Sequence, residues 1–213
     1  GHVHRYAAEQ AERILGEVVG ALPDEPWVGD IVRRLEWLAD TAVVLATPEA
    51  PEAVSISPTV IADDGLARWQ RVAARSGKLL SVWVADGVPA MRLRWDRLIA
   101  TVDTTIATVV RFGPSGAVTV TGQLGGERSG DPPDVRLDIT ISAPAIRGAE
   151  ARVDGSGAPE AFRRLGAVGP GLAMAATLAR DSEASFGARL DAGGLEVVAS
   201  FPIEAVAPAA DDD

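Results

Sequence analysis

The hydrophobic residues of this chain change period along its length, and that change constrains the fold more than any other feature. Between residues 3 and 22 they recur at helical steps: Ala7, Ala11, Ile14 and Val18, with Leu15, Val19 and Leu22, form one stripe. After Pro23-Asp24-Glu25-Pro26, which cannot continue a helix, Ile31, Leu35, Leu38, Ala42 and Leu45 recur at alternating steps of four and three, an a/d seam. Further on, Val135, Leu137, Ile139 and Ile141 alternate strictly, the period of a strand with one buried face. A helical block followed by a mixed block reads as an α+β protein.

The two N-terminal helices form an antiparallel hairpin whose narrow seam neither helix buries alone. Pairing of two copies into a four-helix bundle solves this and predicts a homodimer; packing of the hairpin on the chain's own C-terminal domain is the alternative. Residues 1–47 are thus a helical hairpin. Residues 48–58, with Pro48, Pro51 and Pro58, read as a linker, 59–204 as a second domain, and 205–213 as a disordered acidic tail. Within the second domain the predicted order is a helix at 59–75 with Gly77 as its cap, a strand at 78–84, a turn at 86–89 and a helix at 96–112. Strands follow at 117–124 and 135–141, then an irregular stretch at 142–169, a helix at 170–180, and strands at 184–190 and 195–203.

Composition excludes several classes. The net charge of −10 opposes nucleic acid and anionic lipid, both of which need a basic face. Without cysteine there is no disulfide or thiol chemistry. The two histidines, His2 and His4, do not make a transition-metal site, and no metal site is expected. No apolar run approaches the roughly 20 residues that cross a bilayer, so the chain itself is not expected to insert into a membrane. It is expected to be cytoplasmic, or the soluble part of a longer membrane-associated sensor.

Several strings carry a family resemblance. Val84-Ala85-Asp86-Gly87-Val88-Pro89-Ala90 followed by Asp96-Arg97-Leu98, then Arg111-Phe112-Gly113-Pro114-Ser115-Gly116, then Gly169-Pro170-Gly171-Leu172, and finally Phe201-Pro202-Ile203 follow one another as do the elements of the GHKL ATPase domain of sensor histidine kinases. The stretch 60–204 resembles that domain, and the hairpin is similar to the family's dimerisation segment. The resemblance implies a GHKL-type α/β sandwich, a mixed sheet covered by helices on one face.

The same resemblance implies where ATP and magnesium would sit, and there the chain departs from the family. Thr108 stands at the family's magnesium-binding Asn, with Thr104 one turn earlier. Ile141, Ala143 and Ala145 stand at the Asp-x-Gly-x-Gly positions, whose Asp accepts the adenine amino group. A hydroxyl lacks the reach of an Asn carbonyl toward octahedral Mg²⁺. An isoleucine accepts no hydrogen bond, and an adenine amine buried without one costs roughly 1–3 kcal/mol. Gly169 and Gly171 keep the Gly-x-Gly that opens the phosphate-side helix. No cofactor is therefore expected, with residual binding of ATP and magnesium the alternative. The segment between Ile146 and Gly169, at the position of the ATP lid, carries Arg147, Arg152, Arg163 and Arg164; it reads as a solvated loop or as an anion- or partner-binding lid.

His4 lies near the place of the family's phosphoacceptor, though Arg5, Tyr6 and Ala8 replace the usual acid and proline. The expectation is a histidine-kinase-like signalling module that works by dimerisation and contact with a response regulator or other signalling protein. The alternatives are phosphoryl relay through His4 and an atypical working kinase.

Overall fold

Strict alternation of burial along four neighbouring strands organises the domain. In the computed structural model the described residues are 53–113, 116–126, 134–144, 151–153 and 159–206. The predicted hairpin, His4, Ala145, Arg147 and the acidic tail from Ala207 lie outside them.

Strand β5 (Arg136–Ala143) buries Leu137, Ile139, Ile141 and Ala143 on one face, while Asp138, Thr140 and Ser142 occupy the other. Its neighbours continue the pattern. β4 (Val118–Gly125) buries Val118 and Val120, and β8 (Gly194–Pro202) buries Leu195, Val197, Ala199 and Phe201. β7 (Ser185–Asp191) adds Phe186, Ala188 and Leu190. Register places Ile141 between Val120 and Val197, so three apolar side chains line up across the sheet. With β2 (Leu80–Val84) and β6 (Ala151–Val153) the sheet runs β2-β4-β5-β8-β7-β6. The β2–β4 pair is parallel and the others antiparallel, so the sheet is mixed. A second, antiparallel sheet joins β1 (Val54–Ile56), β3 (Met91–Leu93) and β9 (Glu204–Ala205) in the order β1-β3-β9.

Helices cover the apolar face. α1 (Pro58–Arg75) begins with proline in its first turn, where the missing N–H costs nothing. It ends in a Schellman turn: Gly77, at φ 66°, donates to the Ala74 carbonyl at 3.1 Å, and Lys78 N–H to Ala73 at 3.0 Å. α2 (Trp95–Phe112) buries Leu98, Val102, Ile106 and Val109 in the predicted phase. Lys78, the only lysine, donates from Nζ to the Val109 and Gly113 carbonyls at 3.0 and 2.8 Å, satisfying the end of α2 with a cation where the helix dipole favours one. Burial holds that ammonium below its usual range. α3 (Gly169–Arg180) buries Leu172, Ala175, Ala176, Leu178 and Ala179. The fold is α+β with a mixed sheet.

The sequence and the structure part company at the short elements. The stretch read as linker, 48–58, contains β1 and the first residue of α1. The segment just after the predicted 86–89 turn contains β3. Ala205, assigned to the tail, pairs with Met91. The stretch read as irregular, 142–169, contains the end of β5, then β6 and a 3-10 segment (Pro159–Val168) kinked at Gly166. Strands of two or three residues carry too little alternation to be seen.

Candidate functional site

Of the positions that the family resemblance singles out, Thr108 and Gly171 meet between two helices, and Ile141 and Ala143 lie on the apolar face of the sheet. α2 and α3 run antiparallel, so the C-terminal half of α2 meets the start of α3. Thr108 is fully buried there, and its Oγ1 donates to the Thr104 carbonyl at 2.7 Å. Thr105 does the same to Thr101 at 2.8 Å. Such back-bonding lets a helix bury a hydroxyl without an outside partner.

Gly171, buried in the first turn of α3, lies directly against Thr108. A Cβ built on Gly171 would overlap Thr108 Oγ1 and stand 2.7 Å from its Cγ2 and 2.9 Å from its Cβ. The glycine is required for close approach of two helices, since its φ is ordinary. Gly169 is buried beside it. Ile141 is 2% exposed in the core, and Ala143 lies on the same face, paired with Leu195. Thr108 and Gly171 therefore belong to the packing between α2 and α3, and Ile141 and Ala143 to the apolar face of the sheet.

The segment at the place of the ATP lid is also built into the core. Phe162, Leu165 and Val168 are 0%, 1% and 0% exposed. The Phe162 ring packs against Phe186 of β7 at a centroid distance of 5.8 Å and 51°, and the segment lies against α2, α3 and β6. The reading of this stretch as a solvated loop is corrected for these residues, although Arg164 is exposed. Phe162 and Leu165 stand one 3-10 turn apart, and Val168 follows the kink at Gly166.

The residues present do not fit ATP and magnesium. Mg²⁺ needs oxygen ligands in open octahedral array, and Thr108 Oγ1 is committed to Thr104 with the Gly171 backbone in front of it. Ile141 offers methyl groups where an acceptor is required. Two pockets among the described residues lie away from these positions. A pocket of about 350 Å³ is lined by Arg92, Leu93, Arg94, Asp181, Glu183 and Phe201, among others, at the opposite end of the α2–α3 pair. Another, of about 210 Å³, lies over the polar face of β7 and β8. Neither is lined by Thr108, Ile141, Gly169 or Gly171.

At the first pocket, Arg94 Nη1 donates to the Asp181 carbonyl at 3.0 Å, tying the start of α2 to the end of α3. Arg97, 8% exposed, approaches the Asp181 carboxylate at 3.9 Å. Asp181 is the C-cap of α3.

One buried polar contact escaped the sequence reading. Trp69, 1% exposed on α1, donates from Nε1 to Asp103 on α2 at 2.7 Å, and Arg68 pairs with the same carboxylate at 2.5 Å. Burial raises the Asp103 pKa above its ordinary value, against the lowering effect of Trp69 and Arg68. The contact pins α1 to α2.

Comparison with solved structures agrees with this architecture. Full-length ShkA in complex with AMPPNP superposes with a TM-score of 0.59 at 15% identity, over 97% of this chain and 45% of that one. The histidine kinase AdeS of Acinetobacter baumannii matches at 0.50 and 10% identity, covering 90% and 91% of the two chains. The nucleotide-free catalytic domain of the histidine kinase ThkA also matches at 0.50 and 10%, covering 71% and 96%. The chain spans less than half the length of ShkA. No protein-family model and no curated protein matches the sequence. The fold is that of the histidine-kinase ATP-binding domain.

Proposed function

We propose that this protein is a histidine-kinase-like signalling module of the pseudokinase kind, acting through dimerisation and protein contact. The observation that carries the reading is the seating of Gly171 against Thr108, which turns the magnesium position into a helix–helix contact. Ile141, buried between Val120 and Val197, removes the adenine acceptor at the same time. The amphipathic stripes at 3–22 and 31–45 supply the proposed dimer, and a response regulator or other signalling protein is the proposed partner. Among the described residues no helix is long and apolar enough to cross a membrane, and a cytoplasmic site of action is part of the proposal.

Isothermal titration with Mg-ATP tests it. The expected result is no binding in the micromolar range; a micromolar dissociation constant sinks the reading. Phosphoryl relay through His4 is the second reading, and the packed core is compatible with it because a relay needs no nucleotide. Incubation with a phosphorylated receiver domain separates the two: label moving to wild type but not to His4→Ala favours relay.

A further inference from the structure

We infer that Pro159–Val168 is a resident wall of the domain, docked on α3 with or without nucleotide, so that the domain presents a single lid-side surface to its partners. The inference deepens the pseudokinase reading and rests on it for the claim that nucleotide has no influence. A lid that opens and closes must be weakly held, with few buried apolar contacts. This segment has the opposite character. Phe162 and Leu165 before the kink at Gly166 and Val168 after it are all essentially inaccessible. They belong to the same apolar cluster as Leu172, Ala175 and Phe186, so lifting the segment would uncover the side of α3 and the end of β7.

The backbone is shaped for that seat. Gly166 sits at φ 63°, ψ −133°, which side-chain-bearing residues rarely adopt, and it makes the turn that puts Leu165 and Val168 on the core while Gly166 and Ala167 stay outside. A Cβ at Gly166 would meet nothing within 4 Å. Gly166→Ala therefore strains the wall while leaving the core atoms in place, which makes it a selective probe.

Hydrogen–deuterium exchange on the full chain, with and without Mg-ATP, tests the inference. Peptides over 159–168 are expected to exchange as slowly as those over α3, with no change on adding nucleotide. In Gly166→Ala, exchange over 159–168 should quicken on the order of tenfold with β5 and β8 unchanged. Exchange over 159–168 that is roughly a hundredfold faster than α3 in the nucleotide-free wild type overturns the resident wall. If nucleotide leaves that fast exchange unaltered, only the wall fails; if nucleotide slows it, the pseudokinase reading fails as well. Slow exchange together with calorimetric binding of Mg-ATP supports the wall and overturns the pseudokinase reading alone. Should Gly166→Ala fail to fold, the wild-type rates decide.

Discussion

The two ends of the α2–α3 pair meet in opposite ways. At the end where α2 finishes and α3 begins, Gly171 lets the backbones close on Thr108, and the buried hydroxyls are satisfied within their own helix. At the other end Arg94 and Arg97 reach across to Asp181 beside an open pocket of about 350 Å³. There Arg94 Nε and Nη2 are buried without acceptors among the described residues. The difference teaches that a single glycine lets two helices close into direct packing, whereas long charged side chains hold helix ends together at a distance. The sealed end is the one to which the family resemblance assigns the nucleotide.

The largest effect that should follow from this contrast comes from Phe162→Ala, which removes a fully buried ring from the wall beside the sealed end. Urea unfolding should show a loss of about 3–5 kcal/mol; a loss below about 1 kcal/mol would mean that the ring is not part of the core. Gly171→Ala comes next, because its added methyl meets Thr108. A cost of about 1–3 kcal/mol is expected, and combining it with Thr108→Ala should recover part of that cost. Strict additivity in the double-mutant cycle would show that the two residues are not in contact.

At the pocket end, Arg94→Ala should change stability by no more than about 1 kcal/mol. The lost bond to the Asp181 carbonyl is offset by relief of two unpartnered buried donors. A much larger loss would place that end on the same footing as the sealed one. The smallest effect concerns Asp103. Its raised pKa means that the folded state holds the proton more tightly than the unfolded chain, so wild type should gain stability relative to Asp103→Asn as the pH falls toward the ordinary value of 3.8. Parallel pH profiles for the two proteins would remove Asp103 as a titrating group.

Much of the fold was legible because it rests on repeating patterns. β5 and β8 alternate over their whole length, and α2 keeps Leu98, Val102, Ile106 and Val109 in helical phase. The residues at 108 and 141 were legible too, since identity alone tells that a threonine or an isoleucine stands there. The short strands were not, and the 3-10 segment was missed because it is short and broken by a kink at Gly166. The Trp69–Asp103 bond joins residues 34 positions apart, and no local pattern announces such a partner.

By itself the sequence determined the α+β class, the long elements and the identity of the residues at positions 108 and 141, because period and side-chain identity are local properties. Tertiary structure decided that Gly171 closes on Thr108 and that Phe162 enters the core. Both depend on the distance between elements far apart in the chain, which is set by how all the buried side chains fill the space together.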